Sequence, residues 1–471
     1  MENPESKHKI EITDSLEEVI KQAFYCLECG RCTGTCPMVE LFPEHFNPRH
    51  ILENVLINLD KVINEKGIWF CASCYKCNRL CPQGIELPDI FLRLRKIAVK
   101  ENGLEKLKQA IEIIKEKVPF SASFIEVCFH HERIPLDQTI VDNIFKKIHV
   151  KKKTAKQPEL KEKIAVIGSG PAGLVVAHDL RQKGYQLTVF ESQPFAGGML
   201  RECIPEYRLP TKIIETDINN LKEQGIEFKT NTTIGKDLTF NQLFEDGFEA
   251  IFVASGAHQS INLNIEGKNL SGVVSMLKFM GDLKKEKNKK PGNKIVVIGG
   301  GNTAMDVAST AVMFGSKEVT LLYRRSREQM PADKNEIREA EDDGVKIIYL
   351  AAPKRFLGEK KINKIECYKL QLAEVDYSGR KRPVPIKDSE FIIEADQVII
   401  AIGERPSISF LPEEIEINSD GAIIVDPNTM ETSLPGVFAG GDVVHDSATV
   451  AEAIVSAKNA VIGIDNYLKS K

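Results

Sequence analysis

Over the first 120 or so residues the apolar positions fall three and four apart, the spacing of helices that bury one face. DSLEEVIKQAFY, Asp14 to Tyr25, reads this way with Asp14 as an N-cap. So do NPRHILENVLINLDKVI further on and, after Pro88, DIFLRLRKIAVKENGLEKLKQAIEIIKEKV. Past residue 163 the texture changes to short continuous apolar runs, each followed by a glycine-rich turn and a helical period. IAVIGSGPAGLVVAHDLRQKGYQLTVFES reads strand, turn, helix, strand, and KIVVIGGGNTAMDVASTAVMFGSKEVTLLYRRS reads the same way. Two such βαβ units predict an α/β chain with two Rossmann-like, doubly wound nucleotide-binding domains, preceded by an α-helical part. Between the two textures, KKKTAKQPELKEK at 151–163 is charged and nearly without apolar residues, a linker or simply a solvated face.

Composition narrows the picture. The 471 residues suggest about three domains. A formal net charge of -4 is too small for a nucleic-acid binder or a strong membrane-surface field. No apolar run approaches the roughly 18 residues that a membrane span needs. The opening MENPESKHKI is polar and of mixed charge, without the basic and apolar regions of a signal peptide, so a cytoplasmic location is expected.

Eight of the 11 cysteines fall in two copies of one pattern, CLECGRCTGTCP from Cys26 to Pro37 and CASCYKCNRLCP from Cys71 to Pro82. A disulfide framework belongs to small secreted chains. Structural zinc usually takes two pairs of ligands. Three close cysteines and then a fourth before proline form the bacterial iron–sulfur run, so two [4Fe–4S] clusters and a ferredoxin-like domain are expected. In two-cluster ferredoxins the fourth cysteine of each run ligates the other cluster. That assigns Cys26, Cys29, Cys32 and Cys81 to one cluster and Cys71, Cys74, Cys77 and Cys36 to the other. Cys128, Cys203 and Cys367 stand alone and read as packing residues.

The first glycine-rich turn is Gly168, Gly170 and Gly173, a G-x-G-x-x-G placed between a strand and a helix. Its glycines permit a tight turn, approach of a pyrophosphate and close helix packing, with the helix N-terminus facing the phosphates. Glu191, ending the next strand, is the acid expected to bind ribose hydroxyls. The bland alternative is a structural turn with a surface glutamate. The second turn is Gly299, Gly301 and Ala304, and its second strand ends in Tyr323, Arg324 and Arg325 instead of an acid. Arginine there accommodates a 2′-phosphate and favours NADP(H) over NAD(H), unless these arginines pair with Glu328 or Glu336. One chain with two dinucleotide sites suggests flavin in the first and nicotinamide in the second. GVFAGGD carries a third element, Asp442, placed for a flavin's ribityl or pyrophosphate region. The helix after Thr449 would stabilise negative charge on the reduced ring.

VIGSGPAGL, GGMLRECIPEYRLP, VVIGGGNTAMDVA, YRRSREQMPA, AIGERP and GVFAGGDVV together cover some 300 residues. They resemble the glutamate synthase small subunit family of FAD- and NADP-dependent oxidoreductases, with dihydropyrimidine dehydrogenase and the NADPH-binding subunit of bifurcating transhydrogenases among its relatives. The cysteine runs, with NPRHI between them, resemble the iron–sulfur C subunit of heterodisulfide reductase. The resemblance implies a helical dicluster domain at 1–150, a discontinuous FAD domain at 160–285 and 395–471, and an NAD(P) domain inserted at 286–394. It implies FAD contacts at Gly168, Gly170, Ala172, Glu191, Gly198, Leu200, Arg201, Asp442 and Thr449. It implies NADP contacts at Gly301, Asn302, Thr303, Arg324 and Arg325, with Gly403 near the nicotinamide. Where the family commonly has Tyr-Gly, this chain has Glu202 and Cys203. Cys203 near a flavin raises disulfide-reductase chemistry, but that chemistry usually needs a second cysteine, and none is visible in the sequence.

NADPH gives two electrons as hydride, an iron–sulfur cluster takes one, and a flavin can do both. The expected function is therefore hydride exchange between NADP(H) and FAD, with single electrons passing through the clusters to or from a partner subunit. That partner could be a hydrogenase, a ferredoxin-binding flavoprotein, a heterodisulfide-reductase-like subunit or an amidotransferase such as glutamate synthase, with bifurcation possible. The rivals are a standalone ferredoxin–NADP or sulfide reductase and a non-catalytic assembly subunit.

Overall fold

A computed structural model describes residues 16–100, 103–128, 160–206, 208–285, 289–375, 380–444 and 449–471. Asp14, residues 129–150 of the expected first domain and 151–159 of the charged run lie outside the described residues.

The first part is helical, with helices at Leu16–Phe24, Pro48–Ile57, Leu59–Asn64, Leu87–Lys100, Leu104–Lys117 and Ser121–Cys128. Short helical turns Arg31–Gly34, Pro37–Leu41 and Lys76–Leu80 lie within or just after the cysteine runs. The segment NPRHILENVLINLDKVI holds two helices. Asn47 caps the first by accepting from His50 N, and Pro48 fills its first turn. Asn58 ends that helix and caps the next by accepting from Lys61 N. The long segment after Pro88 likewise breaks before Leu104, at Gly103. Trp69, Phe70, Phe91, Phe120 and Phe124 are buried in the core of this part.

The first parallel sheet runs Val437–Ala439, Phe248–Val253, Lys163–Ile167, Gln186–Phe190, Glu227–Lys229. Its edge strand comes from the far end of the chain, so the first nucleotide fold is discontinuous. Helices Pro171–Gln182 and Val450–Lys469 pack together against it. The second parallel sheet runs Val273–Ser275, Gln397–Ala401, Lys294–Gly299, Glu318–Tyr323, Lys346–Tyr349. Two of its strands fall outside the expected insert of 286–394. The three-residue strand Val273–Ser275 is too short to show a period. Gln397–Ala401 pairs in parallel with both Val273–Ser275 and Lys294–Gly299, which draws both flanks into this sheet. The short antiparallel pair Gln259–Ser260 with Glu404–Arg405 bridges the two flanking segments just outside the second sheet. An antiparallel sheet built on Ala351–Leu357, Lys364–Val375, Lys381–Pro385 and Phe391–Glu394 was not anticipated. It buries Phe356 and Ile365 against Val296, Ile298 and Leu322 of the second sheet.

The helical part docks on both nucleotide folds. Ser123 donates through N–H and Oγ to Asp217 Oδ2, at 2.9 and 2.7 Å. Lys334 reaches Glu86 at 3.0 Å, and Asn335 Nδ2 donates to Asp89 Oδ1 at 2.7 Å. Lys76 pairs with Glu452, near the start of the helix Val450–Lys469. Among the described residues no helix is long and apolar enough to cross a membrane.

Candidate redox site

The repeat in the sequence is also a repeat of backbone. Glu28 N–H points at Cys26 Sγ and Ser73 N–H at Cys71 Sγ, each at 3.4 Å. Glu28 and Ser73 have φ of 50° and 49°, and the residues two further on, Gly30 and Tyr75, have φ of 73° and 54°. Tyr75 thus holds a left-handed conformation that its counterpart leaves to glycine, at a cost of roughly 1–3 kcal/mol. Its hydroxyl donates to Asp89 Oδ1 at 2.9 Å and accepts from Asn335 Nδ2 at 3.2 Å, which fixes the loop.

Cys26, Cys29, Cys32 and Cys81 line one small cavity together with Arg31 and Arg49. Cys36 belongs electrostatically to the other run. Burial, and then Cys71 and Cys74, push its thiol up to about 12. Burial also raises the Cys77 thiol, followed by the fields of Cys71, Cys74, Cys36 and Cys32. Cys36 of the first run thus feels the cysteines of the second, while Cys81 of the second run lines a cavity with Cys26, Cys29 and Cys32 of the first. Burial raises Cys71 as well, opposed chiefly by Arg95. Thiols this reluctant to ionise alone become thiolates when they bind a metal. Among the described residues no three His, Cys, Asp or Glu converge tightly enough on one metal ion. The first set lies around a space, which suits a multi-iron cluster.

At the first glycine-rich turn each glycine has its own geometric reason. A Cβ on Gly168 would lie 2.3 Å from Ala254 O and one on Gly173 2.1 Å from Gly168 O, while Gly170 has nothing within 4 Å. The open position is where a pyrophosphate can approach. Gly198 comes over this turn, its missing Cβ 2.8 Å from Gly170 Cα. Ala172 and Leu200 are buried, and the Ala172 methyl faces Gly441, next to Asp442. Arg201 pairs with Glu215 at 2.8 Å and sits over Phe195. Glu191 is buried. Its Oε2 accepts from Ser169 N and Oγ and its Oε1 from Gln193 N and Ser192 Oγ. A ribose hydroxyl binding there replaces one of these donors.

The second turn repeats the logic. A Cβ on Gly299 would meet Ala401 O at 2.2 Å, Gly301 is open, and Ala304 is buried. Asn302 Oδ1 accepts from Asp333 N at 2.8 Å, tying the turn to the helix Lys334–Asp342. The two arginines differ. Arg324 is exposed, whereas Arg325 is only 3% exposed and donates through Nε to Lys381 O at 3.1 Å.

One cavity of about 1900 Å³ joins these parts. Gly299, Gly301, Asn302, Thr303, Arg324, Arg325 and Gly403 line one region, Asp442 and Thr449 another, and Thr35, Cys74 and Lys76 of the cysteine runs a third. The volume exceeds the roughly 300–1,000 Å³ of an ordinary small-molecule site. Gly168, Gly170, Ala172 and Gly173 at the first turn, and Glu191, Gly198, Leu200 and Arg201 beyond it, do not line this cavity. Among the lining residues that the sequence did not single out are Arg380, Glu452 and Lys76. Arg380 directly precedes the strand Lys381–Pro385 of the antiparallel sheet, remote in sequence from Arg324. Glu452 closes a capping box with Thr449, each side chain bonding the other's backbone N–H. Thr449-x-x-Glu452 was a legible signal for it. Lys76 reaches Glu452 from between two cysteines, a contact with no local signature. Cys203 also lines the cavity, and burial pushes its thiol up to about 12, away from a reactive thiolate.

Comparison with known proteins finds a family match for each of the two parts of the chain. The family described as "Pyridine nucleotide-disulphide oxidoreductase" matches residues 162–461, and "4Fe-4S dicluster domain" matches residues 22–85. The NADP(+)-dependent formate dehydrogenase subunit beta of Moorella thermoacetica is 44% identical over 65% of this chain, but the match spans only 44% of that relative's length. The NADPH-Fe(3+) oxidoreductase subunit beta of Geobacter sulfurreducens is 32% identical over 97% of this chain and 72% of its own. The glutamate synthase [NADPH] small chain of Escherichia coli is 35% identical over 65% of this chain and 69% of its own.

Proposed function

The chain belongs to the pyridine nucleotide-disulphide oxidoreductase family and carries a 4Fe-4S dicluster domain; from that premise we propose that it is the NADP(H)-facing subunit of a larger redox complex. When bound, FAD exchanges hydride with NADP(H) and the two [4Fe–4S] clusters carry electrons singly. The observation that carries the proposal is the continuous cavity that reaches Gly301 and Arg324, Asp442 and Thr449, and Cys74 and Lys76.

Each region has its task. Gly301 opens the second turn to a pyrophosphate, and Arg324 meets the 2′-phosphate that distinguishes NADP(H). Gly170 opens the first turn to the FAD pyrophosphate, while Asp442 faces the ribityl region. The N-terminus of Val450–Lys469, capped by Thr449, directs free N–H groups and its positive dipole end at charge on the flavin ring. The set Cys71, Cys74, Cys77 and Cys36 is proximal, because Cys74 lines the shared cavity and no cysteine of the other set does. The set Cys26, Cys29, Cys32 and Cys81 is distal, and Cys29 is exposed to the surface where a partner takes or gives electrons. The inserted nucleotide domain runs from Val273–Ser275 to Gln397–Ala401. The partner is an iron–sulfur or flavin subunit of the kind found with hydrogenases, formate dehydrogenases, heterodisulfide reductases or glutamate synthases.

Rapid mixing with NADPH of variants with one cluster disabled tests the order. In Cys74→Ser the flavin is reduced but the distal cluster is not. In Cys29→Ser the proximal cluster still fills. Equal filling of the distal cluster in Cys74→Ser and in the native chain would reverse the assignment.

A further inference from the structure

The antiparallel sheet does more than cover the second parallel sheet; it forms part of the cavity wall. Tyr368, Arg380 and Pro383 line the same cavity that Gly301 and Arg324 line from the parallel sheet. Arg325 joins the two walls. Its Nε donates to the carbonyl of Lys381 at 3.1 Å, and its own carbonyl accepts from Leu350 N at 3.1 Å. Lys381 opens the strand Lys381–Pro385, and Arg380 directly precedes it. The bond therefore ties the chain beside Arg380 to the residue beside Arg324. Tyr323 senses the whole group: burial raises its phenol, and the charges of Arg325, Arg380 and Arg324 oppose that rise. Resting on the assignment of NADP(H) to the second turn, we infer that Arg380 is a specificity-determining residue that grips the 2′-phosphate together with Arg324.

The charge of the ligand calls for more than one cation. A phosphate monoester carries about −1.5 to −2 charges at neutral pH. Arg324 is exposed, so solvent and salt weaken its hold. Arg380 is half-buried, and its field is screened less. Two guanidinium forks can meet different oxygens of one phosphate, each through a pair of N–H donors. With five donors, a guanidinium keeps a contact to the protein and still has others for the phosphate. Arg325, 3% exposed and bonded to Lys381 O, holds the walls in register. NAD(H) lacks the phosphate and gains nothing from Arg380. The residue therefore acts on the choice between nucleotides, not on hydride transfer.

Calorimetric titration of the full chain with NADP+ and, separately, NAD+ tests this, since the oxidised nucleotides bind without delivering electrons. The native chain prefers NADP+. In Arg380→Gln the affinity for NADP+ falls about tenfold, the loss of one charge-assisted contact, while that for NAD+ stays in place. Arg380→Lys keeps the charge but not the fork, and its affinity for NADP+ falls between the two. An unchanged affinity for NADP+ in Arg380→Gln overturns the inference. So does an equal loss for both nucleotides, which would make Arg380 a support of the wall alone. If Arg380→Gln does not fold, Arg324→Ala decides: a remaining preference for NADP+ supports a second phosphate contact, and equal affinities reject it. A native chain without preference for NADP+ defeats the assignment of the second turn itself, and this inference with it.

Discussion

At the scale of single residues, the two arginines that end the strand Glu318–Tyr323 have different environments. Arg324 faces the cavity from an exposed position, while Arg325 is buried and braced on Lys381 O. Arg324→Ala is expected to weaken NADPH binding about tenfold to a hundredfold, from the loss of roughly 1.5–3 kcal/mol of charge-assisted bonding, and to leave NADH nearly unchanged. Competitive binding of the two nucleotides measures it, and equal weakening of both would remove Arg324 from the 2′-phosphate site. The pair was conspicuous in the sequence because it stands where an acid was expected, and both arginines do line the cavity. The burial of Arg325 was not legible, because its cover is a strand more than fifty positions away in the chain. The dicluster domain was legible from the spacing of the two cysteine runs. Arg380 carried no such mark; it reads as a solvated residue until the fold brings it to the cavity wall.

Among the elements, the helix Val450–Lys469 joins the most parts of the molecule around the cavity. It packs on Pro171–Gln182 behind the first turn, presents its N-terminus to the cavity and holds Lys76 through Glu452. Its start is fixed by the Thr449 and Glu452 capping box. Thr449→Ala removes the side chain that accepts from Glu452 N, a loss of about 1 kcal/mol. The expected result is a lower Tm and faster release of flavin on dilution; an unchanged release rate would show that this helix start does not hold the flavin. The long parallel strands and the two glycine turns were readable from periodicity alone. The strand Val273–Ser275 was not, and its absence from the reading moved the expected edge of the inserted domain. The antiparallel sheet was missed for a different reason. Its strands are half exposed and interrupted by Pro353, Pro383 and Pro385, so neither a clean alternation nor a continuous apolar run marks them.

For the whole molecule, electron transfer between the parts depends on the helical part being held against the nucleotide folds, and Asp217 makes that docking sensitive to pH. Burial pushes its carboxyl from 3.8 up to about 6, although Ser123 donates to it twice. With the folded value above the unfolded one, the stability that the protonated acid supplies is full below pH 4 and lost as pH rises through 6. Asp217→Asn keeps an acceptor for Ser123 and does not titrate. It is expected to be more stable than the native chain at pH 7, by up to about 3 kcal/mol, and to flatten the stability profile between pH 4 and 6. An unchanged slope in thermal melts across that interval would contradict the assignment. No sequence pattern pointed to this contact, since its partners lie 94 positions apart on different folds. The central claim is that one path inside this chain links NADPH to both cysteine sets. Anaerobic titration of the purified chain with NADPH, and separately with NADH, tests it most directly, with flavin absorbance and cluster paramagnetic signals followed together. NADPH is expected to bleach the flavin and bring up a cluster signal, and NADH to do so only at far higher concentration. A chain that holds both flavin and iron, yet whose flavin neither nucleotide reduces, would contradict it.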